Sequence, residues 1–255
     1  MIKMLLTFDV EPDLHSGGFV GVTEGIPRIL AILDNYGIKA TFFTTCDCIE
    51  EYPKIFQHLK KQGHEVALHG YRHVRFDDLS LEEKEMQIKK SVACFRKYLK
   101  ETPRGFRSPQ HSIDSQTLRI LTKYGIKYDS SKTPLNLLQF LFFPKKIMLN
   151  LEGFFSSSQN YKIGKLVEIP PTSFFLPFVS LVPRAFPKFI QRTYFFLLKL
   201  FFKEIVFYAH SWDFIELPKS RIDRNFSHRR LIINFRDMIK YFHKKIEFKR
   251  MEDLL

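Results

Sequence analysis

The sequence lacks features that would divide the chain or carry it across a membrane. Its 255 residues contain no tract rich in proline, glycine and serine, so we expect a single domain over residues 1–255. The longest apolar stretch, residues 194–202, is interrupted by Lys199 and is too short to span a bilayer. The first residues pass into a strand without a signal-peptide pattern. We therefore expect a cytoplasmic protein, or one that is peripheral on the cytoplasmic face of a membrane.

Cysteine and acidic residues are also scarce. Three cysteines do not suggest a disulfide framework, and Cys46 and Cys48 are too close for a Cys-x-x-Cys site, so we expect reduced thiols. The acidic residues number 27 against 40 basic ones, which gives a formal net charge of +13. This excess favours an anionic partner, such as a phosphate-bearing substrate or a membrane surface. Nucleic acid is disfavoured, because the basic residues are spread along the chain without a zinc-finger or RNP-like motif.

The chain does contain a regular alternation of strand and helix patterns. Apolar, β-prone runs such as "LLTF", "ATFF", "EVAL" and "EIVFYA" alternate with segments of helical periodicity. Ser80 and Glu83 predict a capping box, and "YGIKA" and "YGIKY" each indicate a glycine that ends a helix before a strand. Such alternation predicts parallel strands joined by right-handed crossovers. We expect an α/β fold, a distorted (β/α) barrel of about seven parallel strands.

The first strand ends in two acids that an apolar strand does not need. In "LLTFDVEP", Asp9 and Glu11 are two positions apart, so their side chains share one face while Val10 points to the other. Two neighbouring carboxylates repel each other and are costly to bury. The pair therefore predicts a metal ion, a proton or a basic partner between them, unless it is only a solvated strand end.

Other predicted strands also end in polar groups. His69 and His73 follow "EVAL", and their spacing would place both imidazoles on one side of a helical turn. Two histidines and a carboxylate suit a divalent metal ion and leave positions open for water and substrate. The alternative is that either histidine is an ordinary core or surface residue. Further polar residues at predicted strand ends are Arg107, Asp129 and His210. All of them would meet at the carboxyl ends of the strands.

The motifs "TFDVEP", "HGYRH", "RSP", "YDSS" and "YAHSWDF", in this order, resemble those of the polysaccharide deacetylase family (carbohydrate esterase family 4, the NodB homology region). The resemblance extends from about residue 4 to the C terminus, and it is weak between residues 132 and 203. It implies a distorted (β/α) barrel that holds one divalent metal ion. Zinc is the expected metal, with cobalt, nickel, iron or manganese left open.

The resemblance implies roles for three groups of residues. Asp9 would be the general base, and Arg107 would be the arginine that orients it. His210 would be the general acid, and Asp129 would be the carboxylate that tunes this histidine. The metal ligands would be Glu11, His69 and His73. The substrate contacts would be Pro109, His111 and Trp212.

The sequence also departs from the commoner family pattern. Where adjacent aspartates are usual, the second place holds Val10; strand alternation makes Glu11 the sensible ligand, and this spaced form occurs in some branches of the family. The arginine motif continues with Gln110 and His111 in place of an aromatic residue and glycine. Asp129 is followed by Ser130 in place of tryptophan. We therefore expect a retained metal centre with altered substrate contacts.

The function that follows from the resemblance is metal-dependent removal of an N-acyl group, with acetyl expected, from an amino sugar. The sugar would belong to a polysaccharide or to a lipid-linked glycan. Two alternatives remain open: an amidohydrolase that acts on a small non-sugar amide with the same metal centre, and a catalytically silent, membrane-associated barrel.

An aromatic and basic insert region, about residues 132–203, has no counterpart in the clear motifs. As a helix, residues 187–203 would carry basic side chains on one side and apolar ones on the other: Lys188, Arg192, Lys199 and Lys203 against Ile190, Tyr194, Leu197 and Phe201. Such a helix could lie on a membrane or serve only as a crossover helix of the barrel. The runs "LLQFLFFPKK" and "FFLPFVSLVPRAF" predict further exposed aromatic loops.

Overall fold

A computed structural model describes residues 2–14, 16–134, 159–217 and 225–255 of the chain. Its centre is a curled, mainly parallel sheet covered on its outer side by helices. The strands are β1 Lys3–Val10, β2 Thr41–Thr44, β3 Glu65–Leu68, β4 Gly105–Phe106, β5 Tyr128–Asp129, β6 Tyr161–Ile163, β7 Leu166–Glu168, β8 Glu204–His210 and β9 Glu247–Lys249. The helices are α1 Ile26–Leu33, α2 Cys46–Glu51, α3 Pro53–Lys61, α4 Leu81–Leu99, α5 Ser115–Lys123, α6 Leu181–Ala185, α7 Lys188–Phe201 and α8 His228–Phe242.

The strands lie in the order β6-β7-β5-β4-β3-β2-β1-β8, and β9 pairs with β1. Every pairing among these nine strands is parallel except that of β6 with β7, an antiparallel hairpin that the sequence did not predict. The segment after β7 lies along β8, where the Thr172 amide donates to the Val206 carbonyl and the Tyr208 amide to the Phe178 carbonyl. The prediction of a distorted α/β barrel is confirmed.

The alternation of β1 explains how the barrel is filled. Leu6 and Phe8 point outward into the large core between the sheet and the helices. Leu5 points inward and belongs to a small apolar cluster in the barrel interior. Thr7 and Asp9 continue this inward row. The interior is therefore apolar at the amino end of β1 and polar at its carboxyl end.

Local sequence signals fix several element ends. The Ser80 hydroxyl accepts from the Glu83 amide and the Glu83 carboxylate accepts from the Ser80 amide, so the predicted capping box of α4 is present. Asp114 caps α5 by accepting from the Thr117 amide. Gly37, with φ of 63°, takes the left-handed conformation after α1 and its 3₁₀ turn, as the "YGIKA" pattern predicts.

Three local expectations need comment. Residues 69–75 contain bends and no helical turn, so the condition under which the spacing would pair the two histidines is not met. The run "LLQFLFFPKK", residues 137–146, lies outside the described residues. Within the described ranges, we find no helix whose length and apolar character would let it cross a membrane.

Candidate functional site

Three side chains at the carboxyl end of the barrel form a compact cluster. Oε2 of Glu11 lies 2.6 Å from Nε2 of His73 and 3.3 Å from Nε2 of His69. One ligand atom from each of these residues lies within 4.8 Å of the other two. Glu11 and His69 are buried, whereas the His73 side chain keeps 28% of its exposure and borders the solvent. The sequence-predicted ligand set is therefore brought together in space.

The chemistry of this cluster fits a divalent metal ion. Nδ1 of His69 lies 2.8 Å from the backbone carbonyl oxygen of Arg107, and a carbonyl can only accept, so Nδ1 carries the hydrogen of the neutral ring. Nε2, the other ring nitrogen, faces Glu11, and without its proton it can ligate a cation, which is how metal-ligating histidines are usually oriented. Two imidazoles and one carboxylate form a mixed nitrogen and oxygen donor set that suits zinc and neighbouring transition metals.

The electrostatics of the cluster also favour a cation. Burial alone would raise the pKa of Glu11, but hydrogen bonds from His69 and His73 outweigh it and hold this pKa well below its usual range. Burial would lower the pKa of His69, yet the charges of Asp9 and Glu11 raise it. The carboxylates are therefore ionised, and positive charge beside them is stabilised.

A glycine lets the two histidines approach each other without a helix. Gly70 has a φ of 96°, a left-handed backbone conformation that L side chains rarely adopt. The chain turns directly after His69, and His73 returns so that the two imidazole centroids are 5.5 Å apart. The spacing predicted the pairing correctly, but through the wrong local structure.

Asp9 stands beside the cluster and is held by Arg107. Oδ1 of Asp9 accepts from an Arg107 guanidinium nitrogen at 2.8 Å, and Oδ2 lies 3.5 Å from Nε2 of His69. Burial would raise the pKa of Asp9, but the positive charges of His69 and Arg107 outweigh it and lower this pKa. One oxygen is thus engaged by the arginine while the other faces the cluster as an ionised acceptor.

The guanidinium of Arg107 is fully buried and almost fully used. It donates to the Thr7 hydroxyl at 3.0 Å, and to the carbonyl and hydroxyl of Ser130 at 3.2 and 2.9 Å. Its face lies 4.1 Å from the centroid of the Phe43 ring. These contacts, from three strands or their ends, leave the arginine one orientation toward Asp9.

His210 stands across from the cluster at the end of β8, which pairs with β1 so that His210 lies opposite Asp9. Its Nε2 lies 2.7 Å from the Tyr208 hydroxyl, and its backbone amide donates to Asp213 at 2.9 Å. The imidazole stacks on Trp212 with centroids 4.0 Å apart. Burial would lower the pKa of His210, but the contact with the Asp213 carboxylate raises it. This contact therefore stabilises the protonated form of the imidazole.

The turn that carries Trp212 and Asp213 is fixed against the first half of the chain. It is the 3₁₀ turn Ser211–Phe214, which packs on the π-helical turn Gly21–Gly25. A Cβ placed on Gly25 would lie 2.2 Å from the Ser211 carbonyl oxygen, and one on Gly21 would lie 2.9 Å from the Trp212 amide nitrogen. The two backbones therefore touch where glycine leaves space.

Asp129, which was predicted to tune His210, makes other contacts in the structure. It accepts from the Ser131 hydroxyl at 2.6 Å and contacts Glu168 carboxyl to carboxyl, whereas the acid beside His210 is Asp213. Burial and the neighbouring Asp129 charge raise the pKa of Glu168 well above its usual range, so Glu168 keeps its proton. The resemblance assigned the tuning of His210 to Asp129, but the backbone turn after β8 brings Asp213 closer.

The predicted substrate contacts lie at different depths. His111 is partly exposed at the rim, where its Nδ1 lies 3.2 Å from the Ser131 carbonyl oxygen. Burial and the charge of Arg107 lower the pKa of His111 to about 3, so its ring is neutral. Pro109 is buried under this rim. Trp212 is only 8% exposed and donates its indole N–H to Oε1 of Glu11 at 3.1 Å, so it orients the carboxylate from behind.

Two residues of the site were missed at the level of sequence, Tyr208 and Asp213. Tyr208 lies two positions before His210, so strand alternation alone would have put both on the inner face. Asp213 lies three positions after His210 in "HSWDF", within reach across one turn. Both signals were present in the printed sequence.

The comparisons with known proteins agree with this architecture. A family model described as polysaccharide deacetylase matches residues 2–128, which is the half of the chain that contains Asp9, Glu11, His69 and Arg107. The chain belongs to the polysaccharide deacetylase family.

Among curated proteins, the chain is similar to a peptidoglycan deacetylase of Helicobacter pylori, with 32% identity over 123 residues. This match covers 48% of the chain and 42% of the relative. A chitin deacetylase 2 of Saccharomyces cerevisiae is 30% identical over 38% of the chain and 31% of its own length. The chain thus spans less than half of the length of these curated relatives.

Among solved structures, a polysaccharide deacetylase-like protein of Mycobacterium smegmatis superposes with a TM-score of 0.73 at 18% identity, covering 99% of the chain and 88% of that protein. The Bc1960 peptidoglycan N-acetylglucosamine deacetylase superposes with a TM-score of 0.60 at 18% identity, covering 99% of the chain and 87% of that protein. A pseudoenzyme of carbohydrate esterase family 4 from Bacillus anthracis superposes with a TM-score of 0.59 at 14% identity, covering 99% of the chain and 64% of that protein. At these identities the likeness establishes the fold.

Proposed function

We propose that the protein is a metal-dependent deacetylase that hydrolyses the N-acetyl group of an amino sugar in a glycan. The observation that carries this proposal is the Glu11, His69 and His73 cluster, which lies between the Asp9–Arg107 pair and His210. The relatives are named peptidoglycan and chitin deacetylases, which supports an N-acetylated sugar polymer as the substrate class.

In this proposal Glu11, His69 and His73 hold one divalent ion, with zinc the expected metal. Such an ion supplies Lewis acidity, which polarises an amide carbonyl and makes water more acidic. The donor set does not by itself distinguish zinc from cobalt, nickel, iron or manganese. Trp212 keeps Glu11 in place through its indole N–H, and the Arg107 carbonyl does the same for His69.

The proton transfers in the proposal belong to two side chains. Oδ2 of Asp9 accepts a proton from water as the water oxygen forms a bond to the amide carbon, while Arg107 holds Oδ1. Nε2 of the His210 imidazolium donates a proton to the amide nitrogen as the carbon–nitrogen bond breaks. The products are a free amino group and acetate. Asp213 stabilises the imidazolium, and Tyr208 holds its Nε2 edge toward the site.

A lipid-linked, phosphate-bearing amino sugar is a narrower substrate proposal. It is supported by the net charge of +13 and by the exposed aromatic side chain of Phe175, at 54%, in the second half of the chain. Parallel assays would compare acetate release from N-acetylated oligosaccharides, from peptidoglycan fragments and from a polyprenyl-phosphate-linked amino sugar. A small non-sugar amide in the same assay separates the remaining enzyme alternative.

The test of the main proposal is acetate release by purified, zinc-loaded protein. We expect His69→Ala to lose activity by about 10³-fold or more, since it removes a ligand and the neighbour of Asp9. His58→Ala is the matched control, because His58 is an exposed histidine of α3 away from the site. Full activity of His69→Ala would refute the assignment. A zinc-free and inactive wild-type protein would favour the catalytically silent barrel.

A further inference from the structure

The outward face of α7 carries large apolar side chains that nothing in the described structure covers. Phe189, Phe196 and Leu200 are 70%, 58% and 62% exposed. Their spacing of seven and four residues puts them in one row along the helix. Tyr194, Phe195 and Leu198 occupy the opposite side and are buried against the barrel. The buried side therefore completes the core, and the exposed row is additional to it.

Basic residues flank this row. Arg192 and Lys199 are exposed within one turn of Phe196, and exposed Lys203 lies two residues after the end of the helix. The fourteen residues of α7 include no acid. The sequence predicted a helix with basic residues on one side and apolar residues on the other. In the structure the basic side also carries exposed aromatic residues, so this prediction is only partly correct.

The neighbouring helix α8 extends the same surface. Phe195 of α7 contacts Phe242 of α8 at a centroid distance of 3.8 Å, and Arg192 lies 4.6 Å above the Tyr241 ring. The exposed residues of α8 along one side are Arg229, Ile233, Arg236 and Lys240. Asp237, the one acid of α8, is paired with Lys188 of α7. The term α7–α8 face denotes Phe189, Arg192, Phe196, Lys199, Leu200 and Lys203 together with Arg229, Ile233, Arg236 and Lys240.

The charge of the α7–α8 face selects among its possible occupants. A second copy placed symmetrically would bring like charges together, because the one acid of the two helices is already paired. Nucleic acid would use the arginines and lysines but leave the apolar row of Phe189, Phe196 and Leu200 without a partner. An anionic bilayer satisfies both parts, since aromatic and aliphatic side chains enter the acyl boundary while lysine and arginine reach lipid phosphates.

We propose that the α7–α8 face docks the protein on an anionic lipid bilayer. Both helices precede strands that start at the amino end of the barrel, so each runs along its side. The bilayer would then lie beside the barrel and leave the mouth near His73 and His210 open. This surface is independent of the proposed deacetylation, because it uses none of the residues at the candidate site.

The test is co-sedimentation of the full chain, without substrate, with phosphatidylcholine vesicles that contain or lack phosphatidylglycerol. We expect binding to the anionic vesicles at low salt and its loss as salt is raised. The double variant Phe189→Ser and Phe196→Ser should weaken binding by at least about tenfold, because each exposed phenylalanine contributes apolar burial. Deacetylase activity on a soluble oligosaccharide should remain that of the wild type.

The matched control is Leu81→Ser with Met86→Ser, which removes two comparably exposed apolar side chains, 49% and 45%, from α4. This variant should bind as the wild type does. The proposal would be overturned if the Phe189→Ser and Phe196→Ser protein bound anionic vesicles as strongly as the wild type does. It would also be overturned if the wild type bound neutral vesicles as strongly as anionic ones. Self-association that this variant abolishes, or capture of an oligonucleotide in preference to vesicles, would also overturn it in favour of another occupant. If the wild-type protein bound the vesicles but released no acetate from substrate, the result would count against the deacetylase proposal alone.

Discussion

Two groups of carboxyl groups are buried in the same barrel and behave in opposite ways. At the carboxyl end of β1, Asp9 and Glu11 lie next to imidazoles and a guanidinium, and their pKa values are lowered. At the carboxyl end of β7 and the amino end of β3, Glu168 and Glu65 lie beside hydroxyls, amides and other carboxyls, and their pKa values are raised. All four are less than 9% exposed.

The comparison shows that neighbours, and not depth, decide which buried acids ionise. Desolvation acts in the same direction on all four groups, and only the positive side chains beside β1 reverse it. Ionised carboxylates facing basic imidazoles can accept protons and ligate cations, whereas protonated ones serve as hydrogen-bond donors within the scaffold. Of these three strand ends, the candidate site occupies the one at β1, where the buried acids are ionised.

The largest expected effect is on catalysis. Asp9→Asn keeps the shape of the side chain but removes the ionised acceptor beside the cluster. We expect kcat/KM for acetate release to fall by about 10³-fold, within the range of general-base removal. Steady-state kinetics of the zinc-loaded variant measures this, with unchanged zinc content as the control for the site. A decrease below tenfold would mean that another group takes the proton.

A second prediction concerns Glu11, the proposed carboxylate ligand of the metal ion. Glu11→Gln replaces a charged ligand by a neutral one, and we expect the affinity for zinc to fall by more than about 100-fold, since loss of an outer partner alone costs about 10- to 100-fold. Competition with a chelator, followed by elemental analysis, measures the change. Zinc retained at the wild-type affinity would remove Glu11 from the ligand set.

The third prediction concerns Glu65 and the pH dependence of stability. Burial and the charge of Glu252 raise the pKa of Glu65 to about 7 from an ordinary value of 4.5. Between these values the unfolded chain releases a proton that the folded chain keeps, so the free energy of unfolding falls as pH rises. Below about pH 4.5 the raised pKa of Glu65 contributes its full stabilisation of the folded chain, about 3 kcal/mol. This stabilisation is lost as the pH rises to about 7.

Glu65→Gln should abolish that dependence. Denaturant titrations of variant and wild type at several pH values give the difference in their free energies of unfolding. We expect this difference to shift in favour of the variant by about 3 kcal/mol across the window. The Thr41 hydroxyl and the Glu252 amide can still donate to the glutamine oxygen. A difference independent of pH would show that Glu65 is ionised in the folded chain.

The smallest effect is expected at Glu168, the counterpart of Glu11 in this comparison. Glu168→Gln keeps a hydrogen-bond donor toward Asp129 and an acceptor for the Lys132 amide. We expect a stability change below about 1 kcal/mol near neutral pH and wild-type zinc affinity. A large destabilisation would indicate that the proton resides on Asp129.

The sequence predicted what depends on alternation and order. The period of β1 put Asp9 and Glu11 on one face, and the strand order brought His69 and Arg107 to the same end of the sheet. It did not predict β6, a three-residue strand with an unremarkable pattern. Nor did it predict the turn at Gly70, because a left-handed glycine and a helical start give the same spacing of His69 and His73.

Partners across long separations were beyond the sequence. The bonds from Arg107 to Ser130 depend on how β4 and β5 align, which no local signal specifies. Asp213 took the place predicted for Asp129 because the chain turns back after β8, and that turn is set by packing. The exposed apolar row of α7 was hidden as well, since basic and aromatic residues alternate too closely to separate core from surface.

The contact between Gly25 and Ser211 limits how this scaffold can be altered. A single methyl group at position 25 has no room, because the carbonyl it would meet is only 2.2 Å away. Alanine there would force position 25 and the Ser211–Phe214 turn apart, directly beside His210 at the end of β8. The fit of this turn against the first half of the chain thus depends on position 25 carrying a hydrogen atom in place of a side chain.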